Sequence, residues 1–449
     1  MGKIKSVIKR SGAVVPFTPD RITNAIYRAA VEVGGRDREL ARALSNQVVE
    51  ILERHPEQDY MPFIEEIQDV VEKVLIENGH VKVAKAYILY RNERANHRKQ
   101  QETLSSHSNQ PSPNIPWAKI WHVLDWAVDH GLNTVEGLNH RIRAGEYSQI
   151  VTESEAAYNG DVEHAVKGIL TRKDELKMVL ITGPSSSGKT TTTLKINQKL
   201  KEHGLKLVTL NVDNYFLNLD KHPKDEFGDY DFETPQSLDL PLINSQLTEL
   251  VAGKKVDVPF YDFKLGKRGP DVTPLALKPD ELILIDSLHG LFPGLSSDIS
   301  DEKKYKLYLE PLLQMKGCDG EYIHWTDIRL MRRMLRDAVH RAYDPRQTLE
   351  HWHYVRNSEM RNIIPNIIHA DEIINSAMPF ELPIYVNRLL HNFLDWQKRY
   401  RGDPLREDAF MRADRVAELL KTIHPMEDES FVPSDSVVRE FIGGSSLSY

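Results

Sequence analysis

The 449 residues are 40% hydrophobic and 28% charged, with a formal net charge of −8. Such a length exceeds one ordinary domain, so about two or three are expected. The acidic balance argues against broad nucleic-acid binding, and no apolar run approaches a membrane span. The single cysteine, Cys318, excludes an internal disulfide framework and any cysteine-rich zinc site, and it fits a reducing, cytoplasmic setting. The opening "MGKIKSVIKRSGAVVPF" has basic residues but no apolar stretch leading to a cleavage site, so no secretory signal is expected there.

Residues 1–95 predict a mostly helical domain behind a short hairpin. Two β-prone runs flank Ser11-Gly12, a turn signal. Thr18-Pro19 offers an N-cap and an N1 proline. Behind it Ile22, Ala25, Ile26, Ala29 and Ala30 share a helical face. Leu40, Leu44, Val48, Ile51 and Leu52 make a second stripe. Ile64, Ile67, Val71, Val74 and Leu75 make a third, stopped by Asn78-Gly79. A fourth helix is expected from Val81 to about Arg94.

Residues 96–175 read as linker and helical bridge. "NHRKQQETLSSHSNQPSPNIP" is polar and proline-rich. Trp117, Ile120, Trp121, Leu124 and Val128 then form an amphipathic stripe whose expected role is core or interface packing.

From about Leu176 to 390 the texture becomes strand–helix alternation. Strands are expected at 177–182, 205–212, in "VDVPFYDF" and in "ELILID", with helices at 189–203 and in "DLPLINSQLTELVAGKK". This pattern argues for a parallel sheet with helices on both faces. Residues 391–449 read as a helical extension with a polar tail, and no solenoid repeat is visible.

"GPSSSGKTT" matches G-x-x-x-x-G-K-T between a predicted strand and a helix. Gly183 and Gly188 let the backbone of Gly183, Pro184, Ser185, Ser186, Ser187, Gly188, Lys189, Thr190 and Thr191 curl so that N–H groups face phosphate oxygens. Lys189 would neutralise the β- and γ-phosphates of ATP, and the Thr190 hydroxyl would sit on Mg²⁺. Asp286, closing "LILID", is the candidate carboxylate for the metal's water shell; read locally, it could instead cap a loop. Asp213 ends the strand after the phosphate-loop helix, where ligands of doubly wound sheets collect. It reads as the base for an acceptor hydroxyl, or as a turn-forming Asp-Asn.

"GPSSSGKTT", "VDNYF", "DYDFETPQSLD", "VPFYDF" and "DIRLMRRMLRD", in this order, resemble the uridine kinase branch of the phosphoribulokinase/uridine kinase family over about residues 176–449. "HPKDEFGDYDFE", "YDFKLGKR" and "VVREFIGGSS" are more similar to a bacterial nucleoside-kinase-like subgroup. The resemblance implies that Asp213 is the base on a nucleoside 5′-hydroxyl and that Tyr215 of "VDNYF" belongs to the acceptor site. It further implies that Glu233 holds ribose hydroxyls and Tyr261 flanks the base. Arg329, Arg332, Arg333 and Arg336 match a lid helix whose arginines meet ATP phosphates. Their spacing puts them on one helical face, where guanidinium groups would stabilise spread charge; a solvated basic helix is the alternative. Two positions depart from the family: Asp286-Ser287 replaces Glu-Gly, and Gly266 stands where a base-reading histidine is usual.

"VIKRSGAVVPFTPDRITNAIYRAA" and "EIQDVVEKVLIENGHVKVAKAYILYRNER" resemble a second family, the ATP-cone. The resemblance implies that Lys9, Arg10 and Arg21 bind the phosphates of a regulatory ATP or dATP, with Val7 on the base side and Arg91 closing nearby. Arg21 replaces the usual lysine and Ser11 an aspartate. A cone that only oligomerises is the alternative. The predicted fold class is thus α/β: a P-loop NTPase kinase domain with parallel sheet and helical lid, preceded by a mostly helical ATP-cone domain. The expected activity is phosphorylation of a nucleoside 5′-hydroxyl, uridine or cytidine, in a homo-oligomer without nucleic-acid or membrane partners. A sugar or sugar-phosphate kinase, with "GKR" holding an anionic acceptor, and a non-catalytic nucleotide-controlled regulator are the rivals.

Overall fold

The computed structural model describes residues 4–8, 14–54, 60–88, 115–223, 230, 232–263, 265–340, 344–403 and 406–447. Backbone contacts divide the chain into two compact units, Met1–Gln110 and Pro111–Tyr449.

In the first unit, β1 (Ser6–Ile8) and β2 (Val14–Pro16) pair antiparallel, with Val7 opposite Val15. Pro19 starts α1 (Pro19–Glu32), where its fixed φ is already helical. Thr18 holds the cap position, but its side chain makes no capping bond, contrary to the expected role. Asp37 caps α2 (Arg38–Glu53) by accepting from the Leu40 N–H at 2.9 Å. The Glu66 carboxylate reaches back to the Phe63 N–H at 2.7 Å and starts α3 (Ile64–Glu77). Gly79, at φ +79°, ends it. A further helix, α4 (81–88), follows. Ile22, Ile26, Leu44, Val48, Leu52, Val71, Val74 and Leu75 meet in one core, whereas Leu40 faces solvent.

The second unit is built on a five-stranded parallel sheet of order β4–β7–β3–β8–β9: β3 (Met178–Thr182), β4 (Lys206–Thr209), β7 (Glu281–Asp286), β8 (Lys304–Glu310) and β9 (Glu372–Asn375). Successive strand residues point to opposite faces. Val179, Ile181, Leu282 and Leu284 therefore enter one core, and Met178, Leu180, Ile283 and Ile285 enter another. Burial on both sides is why these strands read as unbroken apolar runs.

The first of those cores is covered by helices from both ends of the unit. Before the sheet come α5 (Trp117–Asp129), α6 (Val135–Arg143) and α7 (Tyr147–Thr171). After it come α12 (Glu381–Tyr400), α13 (Glu407–Thr422) and the single turn α14 (Arg439–Ile442). Leu138, Ile150, Tyr158, Phe393, Val416 and Phe441 all join that core. Between lie α8 (Lys189–Glu202), α9 (Leu240–Val251), α10 (Trp325–His340) and α11 (Pro345–Ser358).

Two expectations change here. The strand β5 (Val256–Asp262) does not join the parallel sheet; it pairs antiparallel with β6 (Lys267–Leu275) in a separate hairpin. Pro259, Pro270 and Pro274 supply no N–H donors, which suits a two-stranded ribbon and not a sheet interior. The α5 stripe is also less buried than expected: Trp117, Trp121 and Val128 are exposed, while Ala127 is buried and Trp126 stacks on His130 at 4.4 Å. Among the described residues, no helix is long and apolar enough to cross a membrane.

Candidate active site

The loop between β3 and α8 is bent by backbone that few residues accept. Gly188 lies at φ +90° as the N-cap of α8, and Ser186, at φ +61°, takes the left-handed region without being glycine. At Gly183 a Cβ would sit 2.3 Å from the Leu309 carbonyl oxygen, so only glycine fits. The Lys189 ammonium folds over this loop and donates to the carbonyls of Gly183 (2.8 Å) and Pro184 (3.2 Å). Burial pulls its pKa down, and Asp286 opposes that.

Ser185, Ser186, Ser187, Gly188, Lys189 and Thr190 line a cavity of about 340 Å³ together with Asp213, Asp286 and Arg336. Residues far apart in sequence thus converge on the C-terminal ends of β3 and β7, where ligands of such sheets bind. Thr191, next along the chain, is fully buried and does not line the cavity.

Asp213 is not at the end of a strand. Its strand stops at Thr209, and Asp213 lies in the 3-10 turn Val212–Tyr215, whose start is fixed by Asn211 Oδ1 accepting the Asp213 N–H at 3.0 Å. The side chain stays open to solvent, yet the cavity walls desolvate it enough to push its carboxyl above the ordinary value. Asp286 is raised too, first by burial, against the pull of Lys189. Thr193 donates to Asp286 at 3.4 Å. Among the described residues, no three His, Cys, Asp or Glu side chains are grouped to hold a metal alone. The oxygen donors at the loop, the Thr190 hydroxyl and the Asp286 carboxylate, are of the kind Mg²⁺ takes, and they would supply its protein ligands.

The four arginines of α10 separate. Arg329 is fully buried: Nη1 and Nη2 donate to Glu359 at 2.5 and 2.9 Å, and Nε lies 3.3 Å from Glu310. Arg332 is equally buried, donating to Glu381 at 2.7 and 3.0 Å and to the Ser376 carbonyl at 2.6 Å. Neither reaches the cavity, so the expectation of a single phosphate-facing row is corrected. Their carboxylate partners hold them in the core, because a buried guanidinium needs a matching anion. Arg329 still supports the loop by donating to the Ser185 carbonyl at 3.3 Å. Arg333 donates to the Ser185 hydroxyl at 3.2 Å, and Arg336 lines the cavity.

One side of the cavity is aromatic. Phe216, Phe232 and Leu238 form its wall. Tyr215 and Tyr261 lie behind it and do not line the cavity, correcting their expected place. The Tyr215 hydroxyl donates to Gln246 at 2.6 Å inside the core, and the Tyr261 ring packs 5.6 Å from Phe216. Glu233 is not a lining residue either; its carbonyl accepts from the Ser358 hydroxyl at 2.5 Å. Gly266, at φ +63°, closes the β5–β6 turn, and a Cβ there would lie 2.1 Å from Leu219 Cδ1. No histidine fits at that position. Arg268 of "GKR" donates to Asp239 (2.9 Å) and to the carbonyls of Phe216 and Tyr215.

Phe216, Phe232, Leu238, His289 and Glu440 line the cavity without having been singled out as site residues in the sequence. His289 is 5% exposed, and among the described residues its Nδ1 has no hydrogen-bond partner. Burial lowers its pKa to about 4, so it is a neutral hydrogen-bonding group at pH 7. The available signal was its position three residues past the strand-end Asp286.

Of the residues expected in the cone's nucleotide site, Val7 is buried in β1 and Arg21 is exposed in the first turn of α1. Lys9, Arg10 and Arg91 lie outside the described residues.

Residues 5–96 match the family model of the ATP cone domain, and residues 178–381 match that of the Phosphoribulokinase / Uridine kinase family. Uridine kinase from Deinococcus deserti is 26% identical over 195 residues, covering 43% of this chain and 84% of that protein. Uridine kinase from Bacillus pumilus is 28% identical over 195 residues, with 43% and 83% covered. Uridine kinase-like protein 5 of Arabidopsis thaliana is 27% identical over 195 residues, which are 43% of this chain but only 38% of that protein. Among solved structures, a possible uridine kinase from Bacillus stearothermophilus aligns at 18% identity and a TM-score of 0.33, covering 48% of this chain and 98% of that one.

Proposed function

The chain carries a kinase domain of the phosphoribulokinase/uridine kinase family and an ATP cone domain, and from that premise we propose that it phosphorylates the 5′-hydroxyl of a nucleoside with ATP and Mg²⁺. One observation carries this reading: the phosphate loop and Asp213 face the same cavity, and its far wall is built from Phe216 and Phe232. An aromatic wall suits a planar base. The acceptor hydroxyl gives its proton to Asp213 as its oxygen attacks the γ-phosphorus, and ADP leaves. Loop N–H groups, Lys189 and Arg336 stabilise charge on the phosphoryl oxygens. Mg²⁺, when bound, neutralises charge across the β- and γ-phosphates. In this reading the cone senses ATP or dATP in a cytoplasmic homo-oligomer.

A sugar phosphate is the second reading, and Arg268 bears on it. Its guanidinium is engaged by Asp239 and two carbonyls, and among the described residues the cationic side chains lining the cavity are Lys189 and Arg336. Both of these are assigned to the nucleotide phosphates in the nucleoside reading. ADP release measured with a panel of nucleosides, pentoses and pentose phosphates decides. Turnover with uridine or another nucleoside is expected. Turnover only with phosphorylated sugars overturns the nucleoside assignment, and no ADP with any hydroxyl acceptor favours a nucleotide-controlled regulator.

A further inference from the structure

The kinase family match ends at residue 381, but the chain returns to the phosphate loop well after it. Residues 435–441 run against the loop and the first turns of α8. Asp435 pairs with Lys195 at 2.9 Å, and a Cβ on Gly188 would lie 2.5 Å from Val437 Cγ2. The Phe441 ring carries the Arg332 guanidinium at 4.9 Å. Glu440, 5% exposed, points its carboxylate at Thr191: Oε2 accepts from the backbone N–H at 3.1 Å and from the hydroxyl at 2.9 Å.

Thr191 is the third residue of α8, so its N–H is one of the donors that the helix cannot satisfy internally. With the loop before it, that first turn is an anion-binding surface. Six consecutive residues, 185–190, face the cavity; at Thr191 the sequence of donors is interrupted, and Glu440 lines the cavity in its place. The carboxylate also lies within electrostatic range of Lys189 and Asp286. The Glu440 carboxyl group therefore occupies the end of the surface that would receive phosphate.

We propose that Glu440 is a built-in competitor for nucleotide phosphate: it holds the Thr191 donor until nucleotide binds, and the nucleotide takes that donor by displacing it. The proposal rests on the cavity being the ATP site. It makes residues 435–441 a strap that loosens on nucleotide binding. A purely structural cap would behave oppositely, since removing it would loosen α8 and weaken binding.

Two measurements on the full chain test this. Calorimetric titration with Mg-ATP and with adenosine compares the wild type with Glu440→Gln, which keeps an acceptor but drops the charge, and Glu440→Ala, which frees the donor. Both variants are expected to bind ATP about three- to tenfold more tightly, with adenosine affinity unchanged. Equal or weaker ATP binding in variants that melt like the wild type overturns the proposal. Hydrogen exchange on the unaltered chain needs no variant: Mg-ATP is expected to speed exchange at residues 437–442, and protection or no change there overturns the proposal. A wild-type chain that binds no ATP at all is a distinct failure, one of the kinase reading itself.

Discussion

At the scale of a single residue, Asp213 is the proposed base. As a base it must be ionised, and its folded carboxyl titrates above the ordinary aspartate value of ~3.9 because the cavity desolvates it. The rate therefore falls as pH drops through that raised value, placing the acid limb of kcat/KM for the acceptor above ~3.9. The same shift has the opposite sense for stability: the contribution is present below the unfolded value and lost as pH rises through the folded one. Asp213→Asn should lower kcat by about 10²–10⁴-fold and change ATP affinity less than about threefold, read by ADP release and calorimetry. Wild-type turnover in that variant would remove Asp213 from the base role. The phosphate loop was legible from sequence because its logic is local: two glycines, a lysine and a hydroxyl within a few positions. His289 was not, since its burial depends on walls that converge only in the fold.

At the scale of elements, α10 shows how far helical spacing reaches. Spacing alone put four arginines on one face. The carboxylates that claim two of them, Glu359 and Glu381, lie 30 and 49 positions further on, so no local pattern announces the pairing. Burial alone would raise the Glu359 carboxyl, but Arg329 and Arg356 outweigh it and hold it below the ordinary range. That stabilisation is present above the unfolded value of ~4.3 and is lost as pH falls through the depressed one. Arg329→Ala, which removes the guanidinium shared by Glu359 and Glu310 in the core, should cost about 3–5 kcal/mol in urea unfolding. Arg336→Ala should leave unfolding within about 0.5 kcal/mol and raise the KM for ATP. Equal destabilisation by both would contradict the division of α10 into structural and cavity-facing arginines. The β5–β6 hairpin was misread for a related reason: its alternation looks like any strand, and only its prolines mark it as unsuited to a sheet interior.

At the scale of the whole molecule, the order of elements was readable, because each strand and helix carries its own period. The assembly of the core was less so. Helices preceding the phosphate loop and helices beyond residue 381 pack on the same sheet face. A fragment 176–381, nearly the extent of the kinase family match, should therefore be insoluble or molten, whereas 111–449 should fold with a single cooperative melt. Circular dichroism of the two fragments checks this. The cone is tested in the full chain with Lys9→Ala/Arg10→Ala. If the cone senses nucleotide, the double variant should lose the response of rate to added ATP or dATP while the acceptor KM stays within about twofold. Unchanged kinetics at every nucleotide level would leave the cone without a regulatory role.

The contact between Thr191 and Glu440 joins residues 249 positions apart. Chains are made at about 5–20 residues per second, so roughly 12–50 s separate the synthesis of the two partners. Throughout that interval the phosphate loop exists without Val437 against Gly188 and without a carboxylate on Thr191. The sheet face that carries the loop also waits for the helices beyond residue 381, so the site is completed only after the last residues of the chain have been made and packed.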